Sequence, residues 1–264
     1  MIRRPINHTV HVLVVSCLFF GVALAAGQKP LGPQGDNYAS IAKLPDWSGV
    51  WVIPFAAFRD ELTRHRNPNS PDAPLLTTDY AAMRDTYRDR QRTGKDPDNG
   101  KPIRQNAESC MPTGMPNLMR YAFGIEFLFS PGRVTLLAET DSAIRRIYTD
   151  GRGHTDDPDL TYTGESIGHW EADTLVVHTT AISPKAELMG AIKTSGKAQI
   201  TERIHLKDKN HLQIETVVED PTALKAPWRY SRVYERSDSG FFEHVCDNNR
   251  DVDDGEPDLT LPGR

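Results

Sequence analysis

The stretch GESIGHWEADTLVVHTT, residues 164–180, is the most informative part of the sequence about the fold class. Two runs rich in β-forming residues flank the turn EAD at 171–173, a pattern typical of an antiparallel hairpin. Its first five residues also match G-x-S-x-G, the nucleophile motif of serine hydrolases, but that motif requires a strand followed by a helix. Here a second strand follows. The stretch therefore predicts a hairpin, with Gly164 and Gly168 at a bend or bulge and Ser166 not catalytic.

The rest of the second half repeats this pattern of short apolar runs joined by turn residues. The runs are FGIEFLF and RVTLLAE around SPG, AIRRIYT before DG, AQITERIHLK and HLQIETVVE around DKN, and WRYSRVYERS and FFEHV around DSG. Evenly spaced short strands predict an all-β, mainly antiparallel, up-and-down barrel over residues 47–250. Upstream, TTDYAAMRDTYRDRQRTG predicts a helix-bearing N-terminal insertion, with one amphipathic helix over about 77–93 that stops at Gly94.

The N-terminus is typical of an export signal. Arg3 and Arg4 precede an apolar run that ends in Ala-Leu-Ala, so we expect a signal peptide over residues 1–25, cleavage after Ala25 and a periplasmic or secreted protein. Cys17 leaves a lipoprotein signal as the alternative. A flexible Gly- and Pro-rich segment is predicted for 26–46 and an acidic tail for 251–264. No later run approaches the roughly 20 apolar residues of a membrane span.

Cysteines and charge narrow the function classes. In an oxidising compartment Cys110 and Cys246 are expected to form a disulfide that stabilises the fold by about 4 kcal/mol, with two buried thiols as the alternative. The net charge of −5 becomes −7 once Arg3 and Arg4 are removed, which disfavours nucleic acid as a partner. The sequence shows neither a phosphate-binding loop nor a local metal motif, so no cofactor and no metal are predicted. A metal site assembled from distant strands remains open.

Candidate site residues are ionisable groups on the predicted strands. His169 or His178 is the candidate base, Glu165 or Glu243 would orient it, and Tyr230 or Arg232 would stabilise developing negative charge. We expect them at one barrel mouth, with other inward carboxylates such as Glu126 or Glu202 as possible partners. Tyr230, Arg232 and Tyr234 share one strand face and could receive a carboxylate or phenolate. The alternative is that these histidines and charges are solvated or paired on the outer surface.

Two resemblances accompany these patterns. Gly49 and Trp51, spaced as G-x-W on the first predicted strand, resemble the opening of lipocalin and calycin barrels, in which the tryptophan closes one end. The segments LPDWSGVW, CMPTGMP, EFLFSPGRVTLLAE, RRIYTDGRGH, SIGHWEADTLVVHT, ITERIHL and HVCDNNR are similar to a large group of exported acidobacterial and sphingomonad proteins without an assigned reaction. This resemblance implies export and a β-barrel. At Glu165 and His178 the group is expected to carry histidine and aspartate, so no chemistry is carried over.

Three functions follow from these expectations. The first is a cofactor-free acid/base enzyme, a lyase, dehydratase or isomerase, acting on a small hydrophobic or aromatic compound. The second is a non-catalytic periplasmic carrier for an apolar ligand, in which the ionisable groups are structural. The third is an envelope protein without a cavity. The positions of the candidate side chains relative to the barrel interior distinguish the three.

Overall fold

A closed β-barrel forms the body of the protein. The computed structural model describes residues 35–95, 104–244 and 246. Its strands are β1 Val50–Val52, β2 Ile125–Ser130, β3 Arg133–Ala138, β4 Ala143–Tyr148, β5 Glu165–Glu171, β6 Thr174–Thr180, β7 Glu187–Met189, β8 Ile192–Lys193, β9 Gln199–Asp208, β10 His211–Glu219 and β11 Trp228–Ser237. The barrel order is β1-β11-β10-β9-β6-β5-β4-β3-β2, and β7 pairs only with β8. The predicted all-β barrel is confirmed.

The barrel departs from a pure up-and-down meander at one seam. β4 pairs with β5 in parallel, through Ile147 with Ser166 and Tyr148 with Ile167, whereas all the other barrel ladders are antiparallel. A parallel pair cannot be joined by a tight turn, so the chain between these strands must cross over from one end to the other. Residues 149–164 make that crossover and cover the outer face beside β4.

The N-terminal part of the chain carries more helix than its sequence predicts. Helix α1 spans Tyr38–Ile41, within the segment 26–46 that was predicted to be flexible. In the insertion, α2 spans Phe55–Arg66 and α3 spans Thr78–Thr93, with Gly94 in the left-handed conformation at the C-terminus of α3. The predicted helix corresponds to α3. The sequence analysis missed α2 because the residues it buries are polar, Glu61 and His65, and an apolar stripe was the signal sought.

Aromatic side chains close one end of the barrel. Trp47 packs against Phe129 and Trp170 with ring centroids 5.5 and 5.2 Å apart. Trp51, fully buried, donates its indole N–H to the Trp47 carbonyl, and the Arg236 guanidinium lies 4.3 Å above its ring. The G-x-W tryptophan therefore packs in the aromatic cluster that fills this end. The opposite end, where β5 begins and β6 ends, is covered by α2 and the 3-10 turn Asn117–Arg120, which we call the cap.

The prediction of a strand at the C-terminal run FFEHV is wrong for the residues that the structure describes. Residues 241–244 have no regular structure, because their backbone bonds to side chains: Phe242 N donates to the Glu139 carboxylate. The segment leads to Cys246, which forms the predicted disulfide with Cys110, with Cα atoms 5.5 Å apart.

Several terminal predictions cannot be placed on the structure. The predicted signal peptide at 1–25, residues 26–34 of the flexible segment and the acidic tail at 251–264 lie outside the described residues. Within the part that is described, no helix combines the length and apolar character needed to cross a membrane.

Candidate functional site

The inner face of β11 meets the cap in a cluster of buried polar groups. Trp228, Tyr230, Arg232 and Tyr234 alternate with outward residues along the strand and face inward. Arg232 donates two guanidinium N–H groups to the Glu61 carboxylate on α2 and a third to the Met119 carbonyl, 2.7 Å away. The Tyr234 hydroxyl donates to the same carbonyl. Arg232 and Tyr234 are therefore used to attach the cap, and are not open to a ligand as their sequence pattern predicted.

The cap adds a second buried arginine beside this ion pair. His65 Nδ1 lies 2.9 Å from Arg120 Nη2 and 3.1 Å from Glu61 Oε1, so it accepts from Arg120 in one tautomer of the neutral ring and donates to Glu61 in the other. Burial lowers the pKa of His65 and favours the neutral ring, although the contact with Glu61 opposes this shift. Burial alone would raise the pKa of Glu61, but hydrogen bonds from Arg232 and the charges of Arg232 and Arg120 outweigh it and hold this pKa well below its usual value. The cluster thus holds two cations and one anion.

A second charged pair lies deeper in the barrel. The Arg145 guanidinium on β4 reaches the Glu202 carboxylate on β9, and both side chains are fully buried. Arg145 also donates to Ser166 Oγ at 3.1 Å and to Thr179 Oγ1 at 2.8 Å. Glu202 and Tyr230 occupy the same row of the sheet, because each is opposite Thr216 of β10. A line of inward polar groups thus extends from the cap towards the barrel centre.

Four atoms along this line are buried and have no hydrogen-bond partner among the described residues. They are Arg120 Nε, Tyr230 Oη, Glu202 Oε1 and Arg145 Nη1. A buried polar atom left unpaired costs about 1–3 kcal/mol, so such atoms are rare and ordinarily meet a water, an ion or a ligand. The atoms comprise two cationic donors, one carboxylate acceptor and one hydroxyl that can do either. These groups are therefore the positions in the interior where a water, an ion or a ligand would gain hydrogen bonds.

On the outside of the barrel, three ionisable groups form a chain. Glu165 Oε2 of β5 accepts from His154 Nδ1 at 2.8 Å, and His154 Nε2 lies 3.0 Å from His178 Nδ1 of β6. Hydrogen bonds from Thr155 and His154 lower the pKa of Glu165, whereas burial and the neighbouring His154 lower that of His178. The chain adjoins a cleft of about 470 Å³ between β4 and the crossover, which Glu165 and Thr155 help to line.

The predicted site residues therefore fall into separate places. His178 and Glu165 are brought together, through His154, on the outer face. Tyr230 and Arg232 are brought together inside, where the Arg232 guanidinium lies 4.6 Å from the Tyr230 ring centroid.

The remaining candidates join neither group. His169 is exposed on β5 with its Nε2 3.2 Å from Glu171, and Glu126 lies on the outward side of β2, whose buried positions are Ile125 and Phe127. Glu243 is exposed in the C-terminal segment. The expected single mouth is thus replaced by an inner cluster and an outer cluster.

Sequence reasoning missed His154, His65, Glu61 and Arg120. His154 follows a strand in a loop, and the other three belong to the cap, so strand alternation could not indicate them. The one available signal was the polar spacing Glu61 and His65, four apart and hence on one helix face.

Among the described residues, no group of three or more His, Cys, Asp or Glu side chains is arranged to hold a metal ion.

Comparisons with known proteins add no assignment. No family model matches the chain, and no curated protein matches it.

Proposed function

We propose that this protein binds one small organic molecule inside the capped end of its barrel. The observation that carries the proposal is the set of unpaired buried atoms on inward side chains, Tyr230 Oη, Glu202 Oε1 and Arg145 Nη1. A guest with a donor and an acceptor would remove the cost of leaving them unpaired. Trp228 and Tyr230, with ring centroids 4.6 Å apart, supply aromatic surface for an apolar or aromatic portion.

Two tyrosines on the same strand provide a matched test. The protein is purified without denaturation and its bound small molecules are identified by native mass spectrometry, after which the affinity of the recovered molecule is measured by calorimetry. Tyr230→Phe removes a hydroxyl with no partner in the described chain, and we expect affinity to fall at least about tenfold. Tyr234→Phe removes a hydroxyl already bonded to Met119 and should lower stability by about 1 kcal/mol with unchanged affinity. A wild-type protein without bound molecules, or equal affinity in both variants, contradicts the proposal.

A second candidate is proton-transfer catalysis by a cofactor-free lyase, dehydratase or isomerase. It is favoured by the Glu165–His154–His178 chain, because a carboxylate that fixes a histidine tautomer is the usual way to orient a general base. The recovered molecule is incubated with the protein in D₂O, and deuterium incorporation at carbon is followed by NMR. Incorporation lost in His154→Gln and retained in His169→Gln supports catalysis. No incorporation leaves the carrier function.

We also propose that the protein acts outside the cytoplasm. The Cys110–Cys246 disulfide supports this, because such bonds persist in oxidising compartments. Fractionation of the cells, with the N-terminus of the protein determined by mass spectrometry, tests it. The expected result is an exported chain that begins at Ala26, and an intact chain in the cytoplasm would contradict the proposal.

A further inference from the structure

A small cavity lies among the residues of the cap and the segments beside it, and Arg120 of the buried cluster forms part of its wall. It has a volume of about 110 Å³, and its walls include Phe58 and Leu62 of α2, Asn117 and Arg120 of the 3-10 turn, Tyr121, and Arg66 at the end of α2. A water molecule occupies about 30 Å³ in the liquid, so the space suits a group of a few heavy atoms rather than a single water. The cavity is also lined by Gln105 and Gly190, so that two of its eight residues carry guanidinium groups, two carry amides and none carries a carboxylate.

Arg120 is held here without a carboxylate of its own. The nearest acidic oxygen in the described chain is Glu61 Oε1, 3.9 Å from Arg120 Nη2, and Glu61 is already paired with Arg232. Instead the Arg120 guanidinium lies 5.0 Å from the centroid of Trp228 and 5.9 Å from that of Tyr230. Burial lowers its pKa to about 10, so it stays cationic at neutral pH. A buried cation in this position is stabilised by any anion that can enter.

The other polar groups of the cavity favour an anion as well. The Asn117 side chain is used internally, since it donates to Glu187 and accepts from Arg120. Burial raises the pKa of Tyr121 to about 12, so its phenol keeps its proton, and the hydroxyl bonds to the Thr113 side chain. Arg120 Nε has no partner among the described residues. The charge that the cavity offers a guest is therefore positive, from Arg120 and Arg66, beside the Gln105 amide and the apolar side chains of Phe58 and Leu62.

We propose that Arg120 receives the anionic group of a small organic acid in this cavity, with Arg66 at the entrance. The inference rests on the proposed function, that the capped end of the barrel binds a small molecule, and it specifies the class of that molecule. The anion that the sequence pattern predicted for Arg232 is bound by Arg120, because the cap supplies Glu61 to Arg232 from within the chain. A neutral or cationic ligand of the same shape leaves the excess positive charge in place.

The test uses pairs of acids and amides that differ in charge and little in shape. Benzoate is compared with benzamide, and hexanoate with hexanamide, by calorimetry on the full mature chain. We expect each acid to bind at least about tenfold more tightly than its amide, and this preference to disappear in Arg120→Met. Arg120→Lys, which keeps the charge but loses the planar fork, should retain part of it. Arg59→Met, at an exposed site on α2, is the matched control and should retain all of it.

Each result has a defined consequence. Equal binding of acids and amides by the wild-type protein overturns the inference, and so does a preference that survives in Arg120→Met, or the absence of binding by all four compounds. The wild-type comparison does not depend on whether Arg120→Met folds. The proposed function fails separately, if the natively purified protein carries no molecule. A recovered molecule that is neutral contradicts only the inference drawn here.

Discussion

At the scale of single residues, Ser166 illustrates why a motif needs its context. It lies inside β5, with its side chain turned into the barrel, and its Oγ accepts from Arg145 Nε and contacts Thr179 Oγ1. The flanking glycines have structural reasons of their own, since a Cβ at Gly168 would lie 2.9 Å from Ile147 Cγ2. The G-x-S-x-G pattern is thus a close-packed strand segment.

The role of Ser166 leads to a prediction. Ser166→Ala leaves Arg145 Nε without an acceptor, and the free energy of unfolding should fall by about 1–3 kcal/mol in urea titrations. A fluorophosphonate reagent that labels activated serines should leave the wild-type protein unlabelled at Ser166. Labelling at this residue would restore the hydrolase interpretation.

The Glu61–Arg232 pair allows a second prediction. Glu61→Gln leaves two buried cations without an anion and should lower the free energy of unfolding by about 3–5 kcal/mol. In the double variant with Arg232→Met part of this loss should be recovered, since one of the cations is removed. The exposed pair of Arg64, on α2, and Asp72 serves as the control, with its charged atoms 3.0 Å apart. Replacing Asp72 by Asn should lower the free energy of unfolding by less than about 1 kcal/mol. Equal losses at both pairs would show that the inner cluster is not buried as described.

For the secondary-structure elements, the sequence predicts which residues of a strand face inward. It does not predict which strands or helices that strand packs against. The predicted inward face of β11 and the hairpin of β5 and β6 are both found, because a period of two follows directly from strand geometry. The parallel seam of β4 with β5 depends on where a long crossover lands. Helix α2 depends on partners in the barrel that satisfy Glu61. Neither is encoded in local periodicity, and the site depends on both.

The crossover itself can be tested at its last glycine. Gly164 has φ +69°, and a Cβ there would lie 2.5 Å from the Thr180 carbonyl oxygen. Gly164→Ala should therefore reduce the free energy of unfolding by about 1–3 kcal/mol in urea titrations. Gly153→Ala, in the same crossover with open space around it, should change stability by less than about 0.5 kcal/mol. If Gly164→Ala left the free energy of unfolding unchanged, Gly164 would not be packed against Thr180 as the structure shows.

At the scale of the whole molecule, the barrel is closed at one end by aromatic side chains and at the other by a polar cap. The aromatic end is stabilised by apolar burial, which does not depend on pH. The capped end depends on ionised Glu61 and neutral His65, and His178 outside is also held neutral. The capped half and the outer cluster therefore contribute to the dependence of stability on acid.

The histidines determine the sign of this pH dependence. For His65 and His178 the folded pKa is below the ordinary 6.5, so the unfolded chain binds protons first as the pH falls. The free energy of unfolding should therefore fall as the pH is lowered from about 6.5 to 5. Burial and the charges of Arg120 and Arg232 lower the pKa of His65, whereas Glu61 beside it raises this pKa and so reduces the effect. His178→Gln should flatten the curve, whereas His169→Gln should not. Stability that rises in this window would contradict the placement of both rings.

Binding inside the barrel can be tested with a high-resolution crystal structure of the natively purified protein. We expect a closed barrel with density for a small molecule within hydrogen-bonding distance of Tyr230 Oη, Glu202 Oε1 or Arg145 Nη1. A barrel in which these atoms bond to one another or meet only water, or a sheet that remains open between β4 and β5, would contradict it.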